Sequence, residues 1–136
     1  MIGKSELRVQ CNATPADVKL FRAALTSFLA VFRLNRVFLE DVSLAVGEVL
    51  ANAVEHASPE SEWTDLELFA RAEGTEAIVI DIYDRGNFVF RERRDGRGFG
   101  LTIVRAIARE VSIDTAEGTR VRMTFSPGNR VLRGRS

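Results

Sequence analysis

The stretch EAIVIDIYD, residues 76–84, constrains the fold more than any other part of the chain. Ile78, Ile80 and Ile82 fall on one face of an extended strand, with Val79, Asp81 and Tyr83 on the other. A strand with that alternation belongs in a sheet whose apolar face must be covered by something amphipathic. The preceding run DLELFAR alternates too, with Leu66, Leu68 and Ala70 on one side. The AEGT link between the two runs has the length and glycine of a hairpin.

The cover lies upstream. In TPADVKLFRAALTSFLAVFRL, Thr14 reads as an N-cap, Pro15 as the first helical residue, and Asp17 as an acidic residue three positions past the cap. Val18, Phe21, Leu25, Phe28, Leu29 and Phe32 then recur at helical spacing, which predicts an amphipathic helix whose stripe is core. A second helix is expected from about Asn35 to His56, where SPE ends it. Ahead of both, SELRVQC alternates and suits a short edge strand. Downstream, LTIVRAIAREV reads as a third helix with Leu101, Val104, Ile107 and Ala108 inward. VSIDTAEGTRVRMTF follows as a hairpin around Glu117-Gly118. The order β-α-α-β-β-loop-α-β-β predicts an α+β two-layer sandwich, a mixed or antiparallel sheet with three helices on one face.

Charge and cysteine usage narrow the class. The 136 residues suit one domain, 1–136, with a basic tail, NRVLRGRS, expected to fray from about residue 127. Lys plus Arg and Asp plus Glu balance at 19 each, which argues against direct nucleic-acid binding. A lone cysteine, Cys11, excludes an internal disulfide and a cysteine metal cluster, and points to a reducing cytoplasm. No segment approaches membrane-spanning length, so a soluble cytoplasmic protein is expected.

Within the second helix, EVLANAVEHA carries Glu48, Asn52 and His56 at four-residue spacing, which stacks them on one face. A solvated stripe would account for the spacing alone. Asp84-Arg85-Gly86 ends the apolar strand; by itself it reads most simply as a turn, although a strand-end aspartate also suits a ligand N–H. GRGFGL places Gly96, Gly98 and Gly100 directly before a helix, where backbone N–H groups and the positive end of the helix dipole suit phosphate. It is neither a dinucleotide fingerprint nor a P-loop, since no strand precedes it and no Gly-Lys-Ser/Thr follows. Four arginines in RERRDGR (Arg91, Arg93, Arg94, Arg97) could pair with phosphates or an acidic partner, or form a solvated loop.

The order of these parts makes a complete nucleotide site. The amide oxygen of Asn52 is a hard ligand suited to Mg²⁺, Glu48 could take the proton of an attacking hydroxyl, and Asp84 could read an adenine amino group. The series resembles the Bergerat-fold (GHKL) ATPases, and among them the RsbW-type anti-sigma regulatory serine kinases. The resemblance runs from about Ala13 to Phe125. LAVGEVLANAVEHA is similar to the family's N-box, which implies Glu48 as catalytic base and Asn52 as metal ligand. DIYDRG looks like the first glycine box, which carries its adenine-binding aspartate to Asp84 and its nucleotide-site glycine to Gly86. GRGFGLTIVRAI looks like the second, with Gly96, Gly98, Gly100 and Leu101 beside the nucleotide. EGTRVRMTF resembles the closing segment, with Thr119 near the adenine pocket.

The implied activity is an anti-sigma factor with ATP- and Mg²⁺-dependent serine kinase activity. Its implied partners are a STAS-domain antagonist, which it phosphorylates, a sigma factor, which it sequesters, and a second copy in a homodimer. Two features depart from the pattern: Phe88 replaces the second glycine of the first box, and the lid segment from Asn87 to Arg97 is short. A binding module with little or no kinase activity is the alternative. A sensor histidine kinase fits less well, because the one histidine, His56, lies inside the N-box.

Overall fold

Helix entry follows the local chemistry. In the computed structural model, which describes residues 6–55, 65–74, 76–84 and 100–127, Thr14 is extended and its side-chain oxygen accepts from the Asp17 N–H at 3.2 Å. The Asp17 carboxylate in turn accepts from the Asn12 N–H at 3.1 Å, so the strand-to-helix corner is tied from both sides. This corner joins β1 (Glu6–Asn12) to α1 (Pro15–Ala30). α1 ends earlier than its apolar stripe suggests. The Phe32 N–H bonds back to the Leu29 carbonyl at 3.1 Å and Arg33 takes a positive φ of 54°, so Phe32 lies in the turn, its ring edge-on to Phe28. Asn35 then caps α2 (Arg36–Glu55), its side chain accepting from the Val37 N–H at 2.7 Å.

The remaining elements are β2 (Asp65–Glu73), β3 (Ala77–Asp84), α3 (Gly100–Ile107), β4 (Glu110–Asp114) and β5 (Thr119–Phe125). They form one five-stranded sheet in the order β1-β2-β3-β5-β4, antiparallel throughout. The expected α+β sandwich is therefore the observed one, with the sheet antiparallel. α3 is three to four residues shorter than its apolar pattern implies. Its last helical bond runs from the Ala108 N–H to Val104, and the Arg109 N–H donates instead to the Thr124 carbonyl at 2.7 Å. Glu110 and Val111 therefore pair with β5 as strand instead of extending the helix.

The core lies between the helices and one face of the sheet. Phe21, Leu25 and Leu29 of α1 and Phe38, Val42, Val46, Val49 and Leu50 of α2 meet Leu66, Leu68, Ile80, Ile82, Val121 and Met123. Phe38 stands edge-on to Phe125 with centroids 6.4 Å apart, a favoured aromatic arrangement. β3 is central and buried on both faces. On the side away from the helices it is covered by side chains of neighbouring strands. Phe69, Asp81 and Arg122 lie in one row across β2, β3 and β5, and Arg122 forks onto Asp81 at 2.8 and 3.0 Å. At the end of the row, the Arg8 guanidinium lies 4.8 Å from the Phe69 ring centre.

Candidate functional site

Asp84 and Thr119 are register partners across β3 and β5, and both point to the helix side. They are 2% and 1% exposed, two polar side chains at one end of an otherwise apolar sheet face. A buried carboxylate is costly unless something engages it, so its position at a strand end marks a polar receptor inside the core boundary. Beside Asp84 on the other flank is Leu66, fully buried and apolar. This end of the sheet therefore offers one acceptor and one hydroxyl against an apolar wall, a surface suited to a flat heterocycle with an exocyclic amine.

A clamp holds these two residues in register. The Tyr83 hydroxyl donates to the Glu117 carbonyl at 2.8 Å, tying β3 to the turn that leads into Thr119. Gly118 occupies the left-handed region at φ 81°, where a side chain would be strained. The Arg120 guanidinium packs 5.0 Å over the Tyr83 ring. Sequence reasoning singled out Asp84 and Thr119 but missed Tyr83 as their positioning residue. The available signal was a large polar aromatic on the outward face of the strand, directly before the aspartate.

Glu48 and Asn52 lie on the last two turns of α2, both half-buried, while Val49 and Ala53 next to them are buried core. α2 packs along α3, which begins at Gly100 with Leu101 partly buried against the core. The first N–H groups of α3 have no partner within the helix and make its N-terminus electropositive. Asn52, Asp84 and Thr119 each interact with a neighbour. Gly86, Gly96, Gly98, Phe88, the arginines at 91, 93, 94 and 97, and His56 lie outside the described residues. Of the expected site, the structure thus describes the N-box pair, the strand-end aspartate, Gly100, Leu101 and Thr119.

Among the described residues no three His, Cys, Asp or Glu side chains group to hold a metal ion. A cation at Asn52 would have to be shared with a ligand's own oxygens. That matches Mg²⁺, which keeps several waters and binds through one or two protein oxygens plus phosphates. No described helix is long and apolar enough to cross a membrane.

Comparison with known proteins gives the family. Residues 11–125 match the histidine kinase-like ATPase domain family, and the chain belongs to that family, an ATP-binding class of the GHKL type. The chain is also similar in structure to the RsbU and RsbW domains of Rv1364c from Mycobacterium tuberculosis. There it is 24% identical at a TM-score of 0.71, over 88% of this chain and 32% of that one. A second similar structure is the histidine kinase domain of the Erythrobacter litoralis EL346 blue-light activated histidine kinase. Identity there is 20% and the TM-score 0.57, over 70% of this chain and 47% of that one. The chain thus spans about a third and about half of these two solved chains, and at such identities the likeness speaks for the fold.

Proposed function

We propose that this chain is an anti-sigma factor with serine kinase activity, which phosphorylates a STAS-domain antagonist and sequesters a sigma factor. The observation that carries the nucleotide half of this reading is the buried Asp84–Thr119 pair at the sheet end. Asp84 would accept from the adenine amino group, with Thr119 beside it and Leu66 against the ring. The likeness to a chain containing an RsbW domain supports the anti-sigma half, together with the order of the sequence motifs.

Asn52 would hold Mg²⁺, which supplies charge neutralisation at the phosphates when bound. Glu48 lies one turn before Asn52 on the same side of α2 and would be the general base. The acceptor serine oxygen forms a bond to the γ-phosphorus of ATP while the bond from that phosphorus to the β–γ bridging oxygen breaks. ADP leaves, and the hydroxyl proton passes to a Glu48 carboxylate oxygen. The N–H groups at the start of α3, with Gly96, Gly98, Gly100 and Leu101, would lie along the phosphates, and Gly86 beside adenine. A second copy of the chain would complete a homodimer. Leu20 on α1 and Val31 at its C-cap, both well exposed, support such a contact.

The test is phosphoryl transfer from ATP–Mg²⁺ to a purified STAS-domain protein, with Glu48→Gln as the diagnostic variant. The amide keeps the shape of the carboxylate and removes its basicity, so transfer should fall roughly 10²–10⁴-fold with nucleotide affinity unchanged. Equal transfer by the variant would remove Glu48 from the chemistry. Binding of sigma factor and antagonist with no transfer by wild type would leave only the binding-module reading.

A further inference from the structure

The last two rungs of the β3–β5 ladder put different chemistry on opposite faces of the sheet. Asp84 and Thr119 form the final rung and point to the helices, whereas Tyr83 and Arg120 form the rung before it and point away from them. A ladder opens first at its end, because the last pair has a neighbouring rung on one side only. Thr119 also follows directly on Gly118, which stands at a φ of 81°. With no side chain to restrict that glycine, the place of Thr119 has to be fixed by contacts from elsewhere.

The open face supplies such contacts. The Asp114 carboxylate accepts from the Ala116 N–H at 3.0 Å and holds the first half of the β4–β5 turn. The Tyr83 hydroxyl holds the second half, donating to the Glu117 carbonyl at 2.8 Å across 34 positions of chain. The Arg120 guanidinium lies 5.0 Å from the centre of the same ring. Tyr83 thus grips the chain two residues before Thr119 and again one residue after it. Glu117 and Arg120 are exposed, while Thr119 is buried. Contacts at the surface of one face therefore fix a buried group on the other.

We propose that the Tyr83 hydroxyl sets nucleotide affinity from the far face of the sheet, acting through Thr119; this rests on the nucleotide reading of the Asp84–Thr119 pair given above. With the clamp closed, Thr119 stays opposite Asp84. With it open, the turn samples positions in which Thr119 has left that register, and apparent affinity falls with the fraction of molecules still competent to bind. Tyr83 touches no ligand in this scheme and is a positioning residue. The open face of the sheet thereby controls the nucleotide face without contributing a contact to it.

The test is a double-variant cycle on the full chain, read by calorimetry with a non-hydrolysable ATP analogue and Mg²⁺. Tyr83→Phe removes one oxygen and keeps the ring beneath Arg120, so the fold is retained. It should raise the analogue Kd roughly three- to tenfold, the range that the net contribution of one hydrogen bond allows. In a Thr119→Val background the same change should shift Kd by less than about twofold, because the group it positions is gone. Amide hydrogen exchange of the ligand-free proteins gives a second readout. Tyr83→Phe should speed exchange at residues 117–120 roughly three- to tenfold and leave the middle of β3 and β5 unchanged. Equal affinity in wild type and Tyr83→Phe would overturn the proposal and leave the nucleotide reading standing. So would an equal fold-loss in both backgrounds, unaltered exchange at 117–120, or faster exchange spread over the whole sheet, which marks general destabilisation. No binding of the analogue by wild type would overturn the nucleotide reading and this proposal with it.

Discussion

Replacing Arg122 by Met would test how strongly the Asp81–Arg122 pair couples β3 to β5 on the face away from the helices. Arg122 forks onto Asp81 with both oxygens engaged, and Asp81 sits three residues before Asp84 on the central strand. The side chain of Asp81 is 9% exposed and that of Arg122 46%, so the pair is half in and half out of water. The short hydrogen bond to Asp81, with the carboxylate charge beside it, raises the Arg122 pKa, which marks a pair coupled in the folded state. Breaking a fully buried pair costs about 3–5 kcal/mol because a charge is left stranded. An exposed pair is worth about 0–1 kcal/mol.

With one partner half exposed, water can reach the abandoned carboxylate through the space Arg122 vacates. An intermediate loss of about 2 kcal/mol follows. For a chain of this size that is a fall in Tm of about 6–8 °C. Urea denaturation of Arg122→Met, Asp81→Val and the double variant gives the coupling directly. The double variant should recover most of the loss, because two apolar side chains replace the pair without a stranded charge. A single variant within about 0.5 kcal/mol of wild type, or strict additivity, would refute the reasoning.

Asn52→Ala should weaken Mg²⁺–ATP binding as well as transfer, which calorimetry with and without Mg²⁺ separates; equal Mg²⁺ dependence in both proteins would contradict the metal role. Asp84→Asn keeps the shape of the side chain but loses charge-assisted acceptance, so ATP affinity should fall roughly 10- to 100-fold while GTP, measured in parallel, changes little. A uniform fall for both nucleotides would place Asp84 away from the base. Burial, and secondly the nearby Asp17 charge, push the Cys11 thiol up from 9.0 to about 11. Because the folded value is the raised one, its stabilising contribution is complete below pH 9 and is lost as pH rises through about 11. The rate of Cys11 alkylation in the native protein should therefore keep rising to about pH 11, and a midpoint near 9 would show the thiol to be solvated.

Local sequence chemistry determined much of this molecule. The Thr14–Pro15–Asp17 start of α1, the Asn35 cap of α2 and the β2–β3 and β4–β5 hairpins all rest on residues a few positions apart. Their energetics are complete within a turn or two of chain, so they can be read along it. The Glu48–Asn52 stacking on α2 belongs to the same class. Other features depended on residues far apart in sequence. α3 yields Glu110 and Val111 to a strand because β5 offers hydrogen-bond partners that no helix-periodic pattern reveals. The antiparallel order β1-β2-β3-β5-β4 puts Thr119 opposite Asp84 across 35 positions of chain, and only that pairing turns a strand-end aspartate and a hairpin threonine into one buried polar pair. The Tyr83–Glu117 clamp and the Asp81–Arg122 fork arise the same way. Each is a contact between groups whose separation along the chain carries no periodic signal, so the fold alone decides it.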